Sequence, residues 1–192
     1  MINDRLERAF NKADRFSHKS CKVIFLIGPF GAGKSTIGRA LAKALDLKFY
    51  DTDRIIEKRL GVDLSWIFDI EGEAGFRRRE TEILDELSQL SDVIISTGGG
   101  TILLPENRRL LKDRGLVIYL KTTIKQQLQR TQRNKYNRPT LRVDNIEDCL
   151  KVFHNERAPL YGEVADVSFS TNRRSYKVVV KEILQYLEEI EF

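Results

Sequence analysis

The chain has 192 residues, of which 41% are hydrophobic and 32% are charged, with 33 Lys and Arg against 28 Asp and Glu. This length suits one globular domain with a full core, and the composition is that of an ordinary soluble protein. No apolar run approaches the roughly 18 residues needed to cross a bilayer, and the two cysteines are too few for a disulfide framework. We therefore expect a cytoplasmic protein and exclude the membrane and disulfide-stapled classes.

The net charge of +5 raises the question of nucleic-acid binding, but the distribution of charge argues against it. Basic residues concentrate in 77–79, 130–142 and 173–174, with acidic segments between them and no basic stripe interleaved with aromatic side chains. Local arginine clusters suit phosphates and carboxylates. We expect a small anionic ligand and no nucleic-acid partner.

The first twenty residues are charged throughout and carry Leu6, Phe10 and Ala13 at helical spacing. This pattern predicts a short amphipathic helix, either a docking helix or a plain extension, before a single domain over residues 21–192. In that domain apolar strand-like segments alternate with helical ones, which is typical of a parallel sheet flanked by helices. The predicted fold class is a three-layer α/β/α domain.

The predicted elements follow one another in a simple order. Strands are predicted at 22–28, 48–50, 92–97, 116–120 and 166–170. Helices are predicted at 33–46, 53–60, 64–90, 123–133, in the segment after 142, and at 176–190. The helix over 64–90 is expected to break near Gly72 and Gly75, and its apolar face is expected to include Leu84, Leu87 and Leu90. Residues 131–142 are polar and arginine-rich, contain Pro139 and lack apolar periodicity, which predicts a mobile loop.

A phosphate-binding loop (P-loop) is the most specific motif. Residues 28–35 read GPFGAGKS, which matches G-x-x-x-x-G-K-[ST] directly after a strand and before a helix. Its backbone amides and the positive end of the helix form an anion cradle. Lys34 can reach the β- and γ-phosphates of a nucleotide, and the Ser35 hydroxyl can ligate Mg²⁺.

Two aspartates follow the second predicted strand in the sequence Asp51-Thr52-Asp53. The carboxyl end of a strand is where parallel α/β sheets place their ligands. We expect Asp51 to face the metal and Asp53 to orient or deprotonate an acceptor hydroxyl. Any of the three residues could instead cap the following helix, and this local pattern alone leaves the two roles open.

Three further features predict a pocket for a small hydroxylated carboxylate. Gly98-Gly99-Gly100 ends the third strand, and three glycines in a row are costly in entropy unless a ligand must approach the backbone. Arg77 and Arg157 are cations that could point toward this edge. Together with the P-loop and Asp53, they indicate a kinase of a small anionic metabolite.

Taken together, these motifs resemble those of the shikimate kinase family, within the P-loop group of nucleoside-monophosphate-kinase-like folds. The resemblance runs from about Lys22 to the C-terminus. It is carried by GPFGAGKST (28–36), DTD (51–53), WIFDIEGEAGFRRRE (66–80), STGGG (96–100), RP (138–139), ERAPLY (156–161) and TNRR (171–174). It implies transfer of the γ-phosphate of Mg·ATP to the 3-hydroxyl of shikimate, in aromatic amino-acid biosynthesis.

The resemblance also implies roles for single residues. Shikimate is expected to contact Asp53, Arg77, Gly99 and Arg157, with the two arginines on its carboxylate. The phosphates are expected to lie among Gly31, Ala32, Gly33, Lys34, Ser35 and Thr36. Ser35 and, through water, Asp51 are expected to hold Mg²⁺, while Arg130 and Arg174 lie near adenine. Residues 131–142 become a lid whose Arg138 closes onto the phosphates, so the expected catalytic residues are Asp53, Lys34 and Arg138.

The chain departs from the family pattern at three places. Thr140-Leu141 stands where two leucines are usual, and Ser175-Tyr176 stands where some relatives carry Asn-Pro. The lid is also expected to be one residue longer than in close relatives, with Tyr136-Asn137 before Arg138. Altered lid kinetics or nucleotide affinity are expected, not lost chemistry. The main alternative is another small-metabolite kinase of the gluconate or nucleoside-monophosphate type, and a nucleotide-regulated binding module is a more distant one. A monomer is the default expectation.

Overall fold

The computed structural model describes residues 22–131, 140 and 145–192. The strands in this part of the chain are β1 (Val23–Ile27), β2 (Lys48–Asp51), β3 (Val93–Ser96), β4 (Leu116–Lys121) and β5 (Val167–Ser170). The helices are α1 (Lys34–Leu45), α2 (Thr52–Leu60), α3 (Leu64–Leu87), α4 (Pro105–Arg114), α5 (Ile124–Thr131), α6 (Ile146–Val164) and α7 (Tyr176–Glu189), with a 3₁₀ turn at Thr101–Leu103.

The five strands form one parallel sheet in the order β2-β3-β1-β4-β5. The central strand β1 is apolar and fully buried because helices cover both faces of the sheet. Its side chains alternate between two cores. Phe25 packs on one side with residues of α2, α3, α4 and α6, and Leu26 packs on the other side with residues of α1 and α7. The predicted three-layer α/β/α class is confirmed.

The parallel arrangement brings the candidate site together. In a parallel sheet all strands end at the same edge, and ligands bind outside those carboxyl ends. The P-loop follows β1, the Asp51-Thr52-Asp53 segment lies at the end of β2, and the three glycines follow β3. Three segments distant in the sequence therefore meet at one edge.

One helix was missed by the sequence prediction. Residues 105–114, which had no predicted element, form α4 with a proline in its first turn. This segment is strongly polar and buries only Asn107 and Leu111, so its apolar periodicity is too weak to see. The proline at the first helical position was the available signal.

The predicted long helix is corrected in three details. Its single non-helical residue is Gly72, with φ 69° and ψ 179°, a conformation that favours glycine. Gly75, the second predicted break, is helical and buried. The helix ends at Leu87, so the predicted apolar residue Leu90 lies beyond it and is 39% exposed.

Some predictions lie outside the described residues. These are the helix at residues 1–20 and most of the lid, since only Thr131 and Thr140 of residues 131–142 are described. In the described ranges no helix combines the length and apolar character needed to span a membrane.

Candidate active site

The P-loop is shaped as an anion cradle at the start of α1. Gly33 is the residue before the helix and has φ 90°, which favours glycine at this position. The Lys34 ammonium donates hydrogen bonds to the carbonyls of Gly28, at 2.7 Å, and Pro29, at 3.1 Å. The lysine is therefore held over the loop that would surround phosphates, and the helix N-terminus adds positive potential there.

The Asp51-Thr52-Asp53 segment makes three separate connections. Asp51 Oδ2 accepts a hydrogen bond from Ser35 Oγ at 2.5 Å, and its other oxygen accepts from the backbone N–H of Arg54, so Asp51 also caps α2. Thr52 is buried and its hydroxyl accepts from the backbone N–H of Gly98. Asp53 faces the cleft described below. The predicted alternatives for Asp51, metal ligand or cap, are thus compatible with each other.

The donor set at this point suits Mg²⁺. The Ser35 hydroxyl and the Asp51 carboxylate supply hard oxygen atoms that lie side by side, 2.5 Å apart, next to the phosphate-binding loop. Among the described residues no group of three or more His, Cys, Asp or Glu could hold a metal. Mg²⁺ bound together with a nucleotide usually takes one or two protein oxygens along with phosphate oxygens and water, and the Ser35 and Asp51 side chains could supply them.

A cleft of about 210 Å³ opens beside the P-loop. Its lining combines carboxylates, arginines, aromatic side chains and bare backbone: Phe30, Ser35, Asp51, Asp53, Arg54, Glu57, Leu64, Phe68, Phe76, Arg77, Glu80, Gly98, Gly99, Gly100 and Thr140. The predicted substrate residues Asp53, Arg77 and Gly99 therefore share one cavity. Thr140, one of the departures from the family pattern, lines it as well.

Arg77 is buried in the wall of this cleft, with 8% of its surface exposed. Its Nη1 donates to Glu80 Oε2 at 2.7 Å, and its Nη2 donates to Glu73 Oε1 at 2.9 Å. Burial by itself lowers the pKa of Arg77, but the charge and hydrogen bond of Glu80, together with those of Glu73, raise it above the ordinary value. The positive charge of Arg77 is therefore compensated by the carboxylates of Glu73 and Glu80.

The three glycines leave room that side chains would fill. A Cβ at Gly98 would collide with the Glu80 carboxylate and lie 2.9 Å from Asp53 Oδ1, and a Cβ at Gly100 would collide with the guanidinium of Arg77. The Gly99 carbonyl accepts a hydrogen bond from the Tyr161 hydroxyl at 2.5 Å. The absence of side chains along this edge therefore lets the Glu80 carboxylate and the Arg77 guanidinium approach the backbone.

Arg157 lies apart from the main cleft. It lines a small adjoining cavity of about 10 Å³, and its guanidinium carbon is 3.8 Å from the ring centroid of Phe153. Phe30 of the P-loop lines both cavities and packs on Gly99, where an added Cβ would be 3.1 Å from its ring. The Phe30 ring therefore stands between the main cleft and the second predicted carboxylate ligand.

The charge of Arg157 is weakly compensated. The residue is 4% exposed, its Nε has no hydrogen-bond partner in the described part of the chain, and the nearest carboxylate oxygen, on Glu156, is 3.7 Å away. Its Nη1 donates to the Gly99 carbonyl at 3.4 Å. Burial lowers the pKa of Arg157, and the charge of Arg77 lowers it further. An anion close to Arg157 would be strongly favoured.

The residues predicted for the nucleotide lie in different settings. Arg130 donates to the P-loop carbonyl of Gly31 at 2.7 Å and to the carbonyl of Thr171 at 3.1 Å. Arg174 forms an ion pair with Glu182 of α7, so its expected place near adenine stays a prediction. Arg138, the predicted lid arginine, lies outside the described residues.

Several residues of the site were not singled out from the sequence. Glu73 and Glu80 lie four residues before and three residues after Arg77, the spacing that places helical side chains on one face. Tyr161 follows Arg157 by four residues, for the same reason. Their helical spacing from Arg77 or Arg157 could have indicated these residues from the sequence, once the two arginines had been chosen as candidates. Phe30 carried no such signal, because its contacts are with distant parts of the chain.

A family model for shikimate kinase matches residues 30–188. The chain belongs to the shikimate kinase family. A shikimate kinase from Legionella pneumophila (strain Corby) is 56% identical over 164 residues, which are 85% of this chain and 93% of that protein. The structure of a shikimate kinase from Acinetobacter baumannii in complex with shikimate has a TM-score of 0.86 at 44% identity, and the match covers 92% of this chain and 97% of that one. The predicted family is confirmed.

The main alternative has weaker support than the shikimate kinase family. A gluconokinase from Sinorhizobium meliloti 1021 has a TM-score of 0.57 at 18% identity, with 89% of this chain and 94% of that one covered. A likeness at this level of identity shows a shared fold and carries nothing about the substrate.

Proposed function

We propose that the chain transfers the γ-phosphate of Mg·ATP to the 3-hydroxyl of shikimate, giving shikimate 3-phosphate and ADP, as a step of aromatic amino-acid biosynthesis. One observation carries the proposal beyond family membership. Asp53, Arg77 and the Gly98–Gly100 edge line one cleft together with Ser35 and Asp51 of the phosphate end. A hydroxyl acceptor, its carboxylate and the nucleotide phosphates would therefore each meet a suitable group.

The substrate's carboxylate is bound by arginine. Arg77 supplies a guanidinium on the cleft wall, held by Glu80, and Arg157 supplies a second one whose nearest carboxylate oxygen, on Glu156, is 3.7 Å away. Guanidinium groups bind carboxylates with directional, charge-assisted hydrogen bonds. The carboxylate fixes one end of the ring, which leaves the hydroxyl groups directed toward Asp53.

Asp53 orients the acceptor hydroxyl and accepts its proton. The position of Asp53 is fixed by the start of α2 and by the Gly98–Gly100 edge. Its Oδ1 lies close to Gly98, and the hydroxyl of the neighbouring Thr52 accepts a hydrogen bond from the Gly98 backbone N–H. Phosphoryl transfer depends on in-line positioning and charge neutralisation, and a fixed carboxylate at the hydroxyl contributes by orienting it and by accepting its proton.

The phosphates are held by the P-loop amides, the N-terminus of α1 and the Lys34 ammonium. Ser35 and Asp51 would hold Mg²⁺, which when bound neutralises charge on the phosphates. The family resemblance adds Arg138 of the lid, which would approach the phosphates when the lid closes. Closure only with substrate present would limit hydrolysis of ATP by water.

ADP release tests the proposal directly. The protein is incubated with Mg·ATP alone and with shikimate, gluconate or AMP as acceptor. We expect strong stimulation by shikimate alone. Stimulation by gluconate or AMP with none by shikimate would overturn the proposed acceptor while leaving the kinase chemistry intact.

A further inference from the structure

Glu73 occupies the part of Arg77 that a substrate carboxylate needs. Arg77 donates to Glu73 Oε1 through both Nε, at 3.3 Å, and Nη2, at 2.9 Å. Nη1 is taken by Glu80, and the end of the guanidinium rests against Gly100. A carboxylate from a ligand can form two hydrogen bonds to Arg77 most readily along the Nε–Nη2 edge, where Glu73 now binds.

The two carboxylates on Arg77 differ in how firmly they are held. The Glu80 side chain is 0% exposed, and its second oxygen accepts a hydrogen bond from the Thr101 hydroxyl. The Glu73 side chain is 57% exposed, and within the described residues its hydrogen bonds go to Arg77 alone. Half-exposed pairs of this kind contribute little net stability, so Glu73 can leave at small cost while Glu80 cannot.

The backbone gives Glu73 freedom that Glu80 lacks. Glu73 directly follows Gly72, where α3 is interrupted by a non-helical conformation, so it stands in the first turn of the second helical segment. An acidic side chain at that end is favoured by the helix dipole even without the arginine. Swinging away from Arg77 leaves the Glu73 carboxylate in water and close to the helix N-terminus.

We infer that Glu73 is a built-in competitor of the substrate's carboxylate: it positions Arg77 in the free enzyme and is displaced when the acid binds. Glu73 thereby sets the enzyme's affinity for a substrate that carries a carboxylate. The negative charge of Glu73 acts to raise the pKa of both Arg77 and Arg157. A substrate carboxylate lying between the two arginines would act in the same direction. This inference rests on the proposed function, because it takes the displacing ligand to be the carboxylate of shikimate.

The test compares Glu73→Gln with Glu71→Gln. Glu71 lies two residues earlier and binds Arg79, which is outside the cleft lining, so it controls for the loss of one negative charge on α3. We expect Glu73→Gln to lower the KM for shikimate about two- to fivefold, the range set by release of a half-exposed ion pair, with little effect on kcat. Glu71→Gln should leave KM at the wild-type value.

A neutral ligand separates competition from a general structural effect. The analogue in which a hydroxymethyl group replaces the carboxylate can be titrated by the fluorescence of Trp66, the single tryptophan of the chain. Glu73→Gln should not tighten binding of this analogue. An unchanged or raised KM for shikimate in Glu73→Gln, or equal tightening of the acid and the neutral analogue, would overturn the inference. Failure of the wild-type enzyme to phosphorylate shikimate would instead overturn the proposed function.

Discussion

The Ser35 hydroxyl donates a 2.5 Å hydrogen bond to Asp51 Oδ2, which joins the first turn of α1 to the end of β2. The same carboxylate group caps α2 through the backbone N–H of Arg54. One aspartate thus has a structural task and, in the proposed mechanism, a metal-directed one. Substitutions that differ only in charge can separate the two.

Asp51→Asn should keep the cap and impair the metal site. Asparagine caps helices as well as aspartate does, so the free energy of unfolding should stay near the wild-type value, whereas Asp51→Ala should lose about 1 kcal/mol. Both variants should lose about 10- to 100-fold in activity at limiting Mg²⁺, as expected for loss of an outer-sphere carboxylate. Chemical denaturation and a Mg²⁺ titration of the rate provide the measurements. A wild-type Mg²⁺ dependence in Asp51→Asn would refute the metal role.

Asp53→Asn should abolish turnover while nucleotide binding survives. The amide preserves the shape of the side chain but cannot accept the hydroxyl proton, so kcat should fall by about 10²- to 10⁴-fold. Steady-state kinetics and calorimetric titration with a non-hydrolysable ATP analogue measure the two properties separately. Near-normal turnover in this variant would remove Asp53 from the mechanism.

Arg157→Ala should weaken shikimate binding. Arg157 is buried and its nearest carboxylate oxygen, on Glu156, is 3.7 Å away, so a ligand anion is favoured there, and the loss should be about 10- to 150-fold in KM, the range for a hydrogen bond to a charged group. Arg77→Ala should act in the same direction, because it removes a guanidinium and leaves the buried Glu80 carboxylate unpaired at the cleft wall. Arg79→Ala, whose side chain binds Glu71 outside the cleft lining, is the matched control. Unchanged shikimate affinity in both Arg77→Ala and Arg157→Ala would contradict the pocket as described.

Gly100→Ala should damage the site through Arg77. The new methyl group would collide with the Arg77 guanidinium, so we expect a loss of about 1–3 kcal/mol in stability, typical of overpacking, together with a raised KM for shikimate. Gly162→Ala is the control, since nothing lies within 4 Å of its added Cβ and alanine favours the α6 helix by up to about 1 kcal/mol. Differential scanning calorimetry and steady-state kinetics of both variants would check this. Equal behaviour of the two variants would show that the space at Gly100 is not needed.

The sequence alone determined which segments form strands and which motifs make up the nucleotide end of the site. The P-loop, the Asp51-Thr52-Asp53 segment and the glycine run are each contiguous, and each follows a strand whose apolar pattern is clear. Because parallel strands end at one edge, their meeting could be predicted without coordinates. The polar helix α4 could not, since its short, mostly charged sequence leaves almost no apolar period to detect.

The electrostatic character of the two arginines was decided only by the tertiary structure. Both lie in helical sequence, yet Arg77 is compensated by two glutamates, while Arg157 is packed against aromatic rings behind Phe30. Burial and the direction of a side chain depend on contacts between α3, α6 and the P-loop, which are far apart in the chain. A sequence pattern fixes which residues share one helix face, but only the packed fold fixes what that face meets.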